Sequence, residues 1–318
     1  MKEYRRVCIV NNAYVLFQYF LLSSLDEIRD TYFFFTEDIK EEVAEHFNHA
    51  RLCLPKGKIR QFLFLIWLNI SADYRWSLLK TCEIWGQDNL LVTSPLIKNR
   101  KIILLEDGWL NYTFRPYRKN FKNLRKLLFG NLSSEFPLGY SNNVELMYLT
   151  GVKKIPVAIM NKVMVVNYSE IWNSSTVEKK QFIEKIFGIT KEVIKVFNGT
   201  PRVLFTQPLS EDGILSEDEK ISIYKKIVDS VGEELIIKTH PREVTDYAAL
   251  FPNNKVFNKP VPLELLSLIG INFSEVYTLF SSSVLSLPKD TNIHWLGCYG
   301  SENLRAKYGN AIDSPSSM

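Results

Sequence analysis

The sequence predicts an α/β protein of two domains, each with a parallel sheet. Short apolar segments of strand length alternate with helix-length segments along the chain, and this alternation favours parallel sheets with helices on both faces. The chain has 318 residues, more than one hydrophobic core usually organises. That length suits two domains of about 150 residues each. We therefore expect one domain over residues 1–155 and a second over residues 156–318.

The first series of strands starts close to the N-terminus. Apolar segments predict strands at 7–10, 32–36, 51–54, 89–93 and 101–105. Helices are predicted between them, at about 14–25, 37–49, 58–70 and 72–85. A polar, turn-rich stretch from Asn131 to Asn143 ends this series.

The second series repeats the alternation. Strands are predicted at 163–167, 202–207, 235–239, 275–280 and 293–297, with helices at about 176–187, 216–231 and 261–269. Both domains are therefore expected to be Rossmann-like and to face each other across a cleft. Ligands of such sheets bind outside the carboxyl ends of the strands, so polar residues that directly follow strands are the candidate site residues.

The composition excludes several classes of protein. With 46% hydrophobic and 23% charged residues the chain is globular rather than disordered, and its net charge of +4 is too small to predict nucleic-acid binding. The longest apolar run, 62–68, is far shorter than the roughly 20 residues of a membrane span, and the N-terminus has no signal-peptide pattern. The four cysteines lack CxxC spacing, so we expect them to be reduced and buried in a cytoplasmic protein.

One segment combines basic and apolar residues. Six cations alternate with apolar side chains over residues 115–129: Arg115, Arg118, Lys119, Lys122, Arg125 and Lys126. The pattern fits a surface helix with a solvated basic face as well as it fits peripheral attachment to an anionic membrane. Nucleic acid is the weakest of the three interpretations, because no binding motif accompanies the segment.

Four polar motifs follow predicted strands. They are Glu106-Asp107-Gly108, Thr206-Gln207-Pro208 with Glu211-Asp212-Gly213, Lys238-Thr239-His240-Pro241, and Ser281-Ser282-Ser283. A partly desolvated carboxylate at a strand end suits a general base. Serines at a strand–helix junction can bind a phosphate, and a nearby histidine can stabilise that phosphate as it leaves. Each motif alone is more often a turn or a helix cap; their shared position favours a site.

At these motifs the chain resembles the bacterial sialyltransferases of glycosyltransferase family 52, the lipooligosaccharide and capsule type. The resemblance rests on His240-Pro241-Arg242, on Glu275 to Leu285 with its serine triplet, on Glu264 beside prolines, and on Glu106-Asp107-Gly108. The chain also resembles the streptococcal type of capsular sialyltransferase. The resemblance implies a GT-B fold and an inverting, metal-independent transfer of sialic acid from CMP-sialic acid to a galactose hydroxyl, with an α2,3 linkage.

The resemblance also implies roles for single residues. His240 would assist departure of the CMP phosphate, Ser281 and Ser282 would bind that phosphate with Ser283 as a further substrate-binding residue, and Glu264 would hold the ribose. The remaining donor-site residues would frame the cytidine and the sugar: Thr206, Gln207, Pro208, Lys238, Thr239 and Pro241. No cofactor is expected beyond the donor substrate.

The general base stays open between two carboxylates. Members closest to this chain imply Asp212, with Glu211 as a neighbour in a longer loop, whereas more distant sialyltransferases imply Asp107 beside Gly108. Two rival functions also remain: a transferase with another CMP- or CDP-activated donor, and a non-catalytic nucleotide-sugar-binding subunit of a polysaccharide assembly complex. The sequence leaves the acceptor glycan and a homodimer undecided.

Overall fold

The computed structural model describes residues 4–76, 79–112, 128, 138–199 and 201–314. The chain divides into two compact units, Met1–Ile186 and Phe187–Met318. The division therefore falls after Ile186 rather than at the expected residue 155. The cause is packing: Phe17 contacts Tyr168 and Phe20 contacts Phe182 edge to face, at ring-centroid distances of 5.9 and 5.5 Å. These contacts join residues 156–186 to the first unit.

The first unit is built on a parallel sheet. Among the described residues it has seven strands in the order β3-β2-β1-β4-β5-β6-β7. The strands are β1 (Arg6–Val10), β2 (Thr31–Phe35), β3 (His49–Arg51), β4 (Glu83–Gly86), β5 (Ile102–Leu105), β6 (Val144–Leu149) and β7 (Val163–Val165). The central strands β1 and β5 are almost fully buried, as expected for a parallel sheet covered on both faces.

Helices cover this sheet. They are α1 (Ala13–Leu22), α2 (Leu25–Arg29), α3 (Glu41–Ala44), α4 (Lys58–Arg75), α5 (Ser94–Ile97), α6 (Tyr168–Ser174) and α7 (Val177–Ile186). The first helix starts at Asn12, whose side chain accepts a hydrogen bond from the backbone N–H of Val15 at 2.9 Å. That cap fixes where the chain turns from β1 into α1.

The sequence prediction was wrong between residues 79 and 93. The fourth strand is Glu83–Gly86, inside a predicted helix, and residues Leu91–Thr93 form a 3₁₀ turn instead of a strand. In this run Val92 and Thr93 are buried and Leu90 and Leu91 are partly buried, because it packs as a helical turn that leads into α5, where Pro95 occupies the first turn. Burial alone does not distinguish a short strand from a short helix. The strand β6 was not predicted.

The second unit has its own parallel sheet. Among the described residues it has five strands in the order β10-β9-β8-β11-β12. They are β8 (Arg202–Phe205), β9 (Leu235–Lys238), β10 (Val256–Phe257), β11 (Glu275–Thr278) and β12 (Asn292–Trp295). The predictions for β8, β9, β11 and β12 are confirmed. The two-residue edge strand β10 was missed.

Five helices belong to the described part of this unit. They are α8 (Lys191–Val196), α9 (Glu217–Val231), α10 (Tyr247–Leu250), α11 (Leu263–Leu268) and α12 (Glu302–Tyr308). Ser216 caps α9 by accepting from the N–H of Glu219 at 3.2 Å, so Asp218 lies in the first helical turn, where its charge favours the helix dipole.

Two further expectations concern membranes and cysteines. None of the helices in the described ranges has the length and apolar character needed to span a bilayer. None of the four cysteines forms a disulfide within the described residues; Cys8, Cys82 and Cys298 are buried, as expected, but Cys53 is exposed. Cys53 lies just after the edge strand β3, where the apolar neighbours Leu52 and Leu54 do not cover it.

Candidate active site

Polar residues gather at the carboxyl edge of the first sheet. Strands β1, β4 and β5 are neighbours, and they are followed by Asn11, Gln87 and Glu106 respectively. Parallel strands end at the same edge, so these three loops lie side by side. Gly86 lets β4 approach β1: it has φ +112°, and a Cβ there would lie 1.9 Å from the carbonyl oxygen of Ile9.

Asp107 is the carboxylate of this edge. Its Oδ1 accepts hydrogen bonds from the side-chain amides of Asn11 and Asn12, at 2.9 and 3.0 Å. Its backbone N–H donates to Asn111 Oδ1 at 2.7 Å. The other oxygen, Oδ2, has no hydrogen-bond partner within the described ranges. One oxygen of the Asp107 carboxylate is thus fixed by two side-chain amides.

The surroundings of Asp107 favour its protonated form. Burial raises the pKa of Asp107 to about 6. The two amide hydrogen bonds lower this pKa, and the negative charge of Asp88 raises it by a smaller amount than burial does. A carboxylate with a pKa near the working pH is suited to general-base catalysis.

Glu106, by contrast, belongs to the core. Its carboxylate accepts from the backbone N–H of Thr150 at 2.5 Å and from Tyr112 Oη at 3.1 Å, and burial raises its pKa. Tyr112 is 7% exposed and also receives the N–H of Gly151, so its ring is part of this buried network. Gly108 follows with φ +89°, a conformation that favours glycine in the turn after Asp107.

At the carboxyl edge of the second sheet lies His240. It follows β9, and its backbone N–H donates to Glu243 Oε2 at 2.8 Å. Its Nδ1 accepts the backbone N–H of Arg242 at 3.2 Å. A neutral imidazole that accepts at Nδ1 carries its proton on Nε2, so Nε2–H is a donor.

The charge state of His240 is set by its neighbours. Burial, Arg242 and Lys238 lower the pKa of His240 to about 4, and the opposing effect of Asp212 and Glu211 is smaller. The ring is therefore neutral at pH 7.

The carboxylates of the Glu211-Asp212 pair have other partners. Asp212 forms a bidentate ion pair with Arg242, with the second contact, Nη2 to Oδ2, at 3.1 Å. Glu211 accepts from the buried Lys220 ammonium at 3.0 Å and from the N–H of Val244 at 2.9 Å. Both side chains therefore hold the loop after β9 in place.

The residues predicted to frame the donor lie on neighbouring strand ends. Thr206, Lys238 and Thr239 are all buried. The ammonium of Lys238 lies over the rings of Phe205 and Phe257, and burial lowers its pKa to about 8. These groups form a partly desolvated edge with one cation.

Gln207 and Pro208 continue the loop after β8. Gln207 Oε1 accepts the N–H of Phe280 at 3.0 Å, and its backbone N–H donates to Tyr224 Oη at 2.7 Å. Pro208 accepts the N–H of Asp212 through its carbonyl at 2.9 Å. The first of these bonds ties the loop after β8 to the segment that begins the serine motif.

The serine triplet lies after β11. Ser281 donates its N–H to Thr278 Oγ1 at 3.1 Å, and its hydroxyl is 2.8 Å from that of Ser283. Ser282 begins a 3₁₀ turn, Ser282–Ser286, and all three serines are partly exposed. Glu264, in the first turn of α11, accepts from Ser286 Oγ at 3.0 Å. Pro241 directly follows His240 in the loop after β9.

Sequence reasoning missed Glu243. Its side chain is 0% exposed, and it accepts from Thr206 Oγ1, from the N–H of His240 and from Tyr247 Oη. It therefore ties the loops after β8 and β9 together. The sequence signal for this role was the position of Glu243 three residues after His240, because a carboxylate at that spacing can accept hydrogen bonds within a tight turn. Asn11 and Asn12 were likewise passed over as an ordinary polar loop.

In the described part of the chain, neither a cavity nor a cluster of metal-binding side chains identifies these strand ends as the site. A cavity of about 730 Å³ lies at the opposite edge of the second sheet, beside Arg202 and Glu275 at the starts of β8 and β11. The described residues contain no group of three or more His, Cys, Asp or Glu side chains placed to hold a metal ion.

The chain matches known sequences over most of its length. Residues 81–296 match the model of glycosyltransferase family 52, and this range contains Asp107, Asp212, His240 and the serine triplet. An uncharacterized protein of Haemophilus influenzae is 34% identical over 310 residues, which cover 96% of this chain and 98% of that protein.

Solved structures show the same architecture at low identity. A Photobacterium damselae sialyltransferase, solved as its GT-B domain, is 13% identical with a TM-score of 0.52, covering 91% of this chain and 89% of that one. A Photobacterium 2,6-sialyltransferase in complex with CMP and lactose is 12% identical with a TM-score of 0.58, covering 91% and 70%. A Listeria monocytogenes protein described as a UDP-N-acetylglucosamine 2-epimerase is 11% identical with a TM-score of 0.52, covering 100% and 90%.

The fold is therefore of the GT-B type, as the sequence predicts, and the family match covers both units. The chain belongs to glycosyltransferase family 52 and is a glycosyltransferase.

Proposed function

We propose that this glycosyltransferase moves N-acetylneuraminic acid from CMP-sialic acid to a terminal galactose, with an α2,3 linkage, on a capsular polysaccharide or lipooligosaccharide. The observation that carries the proposal is His240, a neutral imidazole whose Nε2–H is a donor at the carboxyl edge of the second sheet. The resemblance of its motif to sialyltransferases supports the choice of donor, as do the folds of structures solved as sialyltransferases.

The leaving group explains the residues around His240. When the bond to the sugar breaks, the single phosphate of CMP gains negative charge. The Nε2–H of His240, the hydroxyls of Ser281 and Ser283, and the ammonium of Lys238 would stabilise this charge. Glu264 would bind the ribose hydroxyls. These groups are sufficient for a monophosphate, so we propose that transfer is independent of metal ions.

For the acceptor we propose Asp107 as the general base. Its raised pKa and its Oδ2 suit it to take the proton of a galactose hydroxyl, whereas Asp212 is neutralised by Arg242. The hydroxyl oxygen then forms a bond to the anomeric carbon of sialic acid. The bond from that carbon to the phosphate oxygen breaks, and CMP leaves with the electron pair. A single displacement of this kind inverts the anomeric configuration.

The donor assignment can be tested by thermal unfolding with nucleotides. A ligand at about 100 times its Kd stabilises the folded state by about 2.7 kcal/mol. That free energy raises the Tm of a protein of this size by roughly 5 °C. We expect CMP to do so, and UMP and UDP to have little effect at equal concentration.

A His240→Asn variant is the matched test of the phosphate contact, because it keeps a polar side chain but removes Nε2–H. It should bind CMP more weakly than the wild type and bind cytidine equally well. Stabilisation by UDP instead of CMP, or by no nucleotide, would contradict the proposed donor.

A further inference from the structure

Lys220 is a buried cation that the proposed transfer does not use. It lies near the start of helix α9, and its side chain is 0% exposed. A buried ammonium costs free energy unless carboxylates compensate it, and a cation near the N-terminus of a helix also opposes the helix dipole. The position of Lys220 is therefore explained by the groups around its ammonium, not by the helix that carries it.

Three carboxylates lie around this ammonium. Lys220 Nζ is 3.0 Å from both oxygens of Glu211, 3.0 Å from Glu217 Oε2 and 3.9 Å from Glu243 Oε1. Glu211 lies in the loop after β8, Glu217 is the first residue of α9, and Glu243 lies in the loop after β9. One cation therefore joins three separate segments of the second unit. We call these four residues the Lys220 cluster.

Each carboxylate of the Lys220 cluster also holds the loop after β9, which carries His240. Glu211 Oε1 accepts the backbone N–H of Val244 at 2.9 Å, and Glu217 Oε1 accepts the hydroxyl of Thr245 at 2.5 Å. The third carboxylate, which belongs to the loop itself, accepts the backbone N–H of His240 at 2.8 Å. The loop is thus fixed at three residues by carboxylates that share one ammonium.

The ammonium keeps these carboxylates close to one another. Burial acts to raise the pKa of Glu211 and Glu217, but hydrogen bonds, including those from Lys220, outweigh it and hold both pKa values below the usual value. Both carboxylates are therefore charged at pH 7. Without the cation their charges would repel each other in a partly desolvated place, and the carboxylates would move apart or take up protons. Either change alters the hydrogen bonds that they accept from the loop.

We propose that Lys220 is a positioning residue for the transfer. It acts through the carboxylates of its cluster to hold the loop after β9 in the conformation that presents Nε2–H of His240 to the leaving phosphate. This inference rests on the proposed function of His240. The Lys220 side chain is fully buried, so its effect on the substrate passes through the loop, and its loss should slow the chemical step more than it weakens substrate binding.

The test compares two variants of α9 in the full chain. Lys220→Met removes the ammonium and keeps an unbranched side chain. Val228→Ala removes buried apolar contacts about two turns further along the same helix and is the control for a general loss of stability. Hydrogen–deuterium exchange measures the loop without any substrate. The amides of residues 240–245 should exchange at least about tenfold faster in Lys220→Met than in the wild type, and at the wild-type rate in Val228→Ala.

Initial rates of transfer give the second measurement. Lys220→Met should lower kcat by about 10²-fold and change KM by less than about threefold, whereas Val228→Ala should keep the wild-type kcat. Wild-type exchange of the loop in Lys220→Met, or equal acceleration in both variants, would overturn the positioning role. Absence of transfer by the wild type would contradict the proposed function instead, and the exchange rates would still decide whether Lys220 holds the loop.

A double variant provides a reference if Lys220→Met does not fold. Lys220→Met/Glu217→Gln removes one negative charge together with the cation, and the glutamine keeps an acceptor oxygen for Thr245. Its kcat should be about tenfold above that of Lys220→Met, because less repulsion remains, so the two substitutions should not be additive. Its loop should still exchange faster than that of Glu217→Gln alone. Equal exchange in these two proteins would overturn the proposal.

Discussion

At the scale of single residues, Asp107 and Asp212 differ in what holds their carboxylates. Asp107 is fixed at one oxygen by two amides and has a pKa of about 6, whereas Asp212 is paired with a guanidinium. Because the Glu-Asp-Gly motif occurs twice, the sequence alone did not decide which of the two aspartates is the general base. Side-chain partners from distant parts of the chain, Asn11 and Arg242, distinguish them.

The first prediction concerns the dependence of transfer on pH. With Asp107 as the base, kcat/KM should fall about tenfold per pH unit below pH 6 and level off above it, because only the ionised carboxylate accepts a proton. Asp107→Asn should lower kcat by about 10²–10⁴-fold. Asp212→Asn should keep the acidic limb at the same pH. Initial rates over a range of pH check this.

Unfolding provides the control for these variants. The folded-state pKa of Asp107 is raised above its usual 3.8 to about 6, so stability from this group is fully present below 3.8 and is lost as pH rises through 6. Asp107→Asn should therefore be at least as stable as the wild type at pH 7. If Asp212→Asn alone abolishes turnover, the base has been assigned to the wrong carboxylate.

A second prediction concerns Glu243, which positions His240 by accepting its backbone N–H. Glu243→Ala leaves the buried donors of Thr206, His240 and Tyr247 without an acceptor and should cost about 2–4 kcal/mol of unfolding free energy. Glu243→Gln keeps an acceptor oxygen and should restore most of that stability. Denaturant unfolding measures both, with the exposed Glu234→Ala as the control.

Spectroscopy separates positioning from a general loss of stability. In the wild type the ¹⁵N shifts of His240 should report a proton on Nε2, since Nδ1 accepts the N–H of Arg242. Glu243→Ala should give a mixture of tautomers and a lower kcat with little change in KM. A single Nε2–H tautomer in Glu243→Ala would argue against positioning.

At the scale of elements, the sequence located the strands whose carboxyl ends carry the site. Strands β8, β9 and β11 of the second unit were predicted because mainly apolar runs bounded by polar motifs are typical of buried parallel strands. The edge strand β12, which is only partly buried, was predicted from its Ile293-His294-Trp295 segment. Strand β4 was not predicted: Glu83-Ile84-Trp85-Gly86 begins with a charge and ends with glycine. Residues 83–86 form a strand because they pair with β1, which they approach closely at Gly86. That contact between distant parts of the chain is not visible in the local sequence.

The close approach at Gly86 gives a third prediction. Gly86→Ala should lower the unfolding free energy by about 3 kcal/mol or more, because a Cβ 1.9 Å from the Ile9 carbonyl oxygen must separate β1 from β4. Gly57→Ala is the control, since Gly57 has φ +96° with no atom within 4 Å of the added Cβ. It should cost only about 1–2 kcal/mol. Equal losses measured in urea would show that the strand contact does not limit residue 86.

At the scale of the whole molecule, length and alternation predicted two units, but they could not place the division. Residues 156–186 read as the start of a second series, yet their helices pack on α1 of the first unit. Helical periodicity shows that a helix has an apolar face, not which sheet it covers.

We propose that this chain transfers sialic acid from CMP-sialic acid, with Asp107 as general base and His240 as the donor to the leaving phosphate. The most direct measurement is mass spectrometry of lactose incubated with CMP-sialic acid and the purified protein, with EDTA present. We expect one sialic acid to be added to lactose by the wild type, with the linkage then fixed by NMR, and almost none by Asp107→Asn or His240→Asn. Absence of product together with absence of CMP binding would contradict the account.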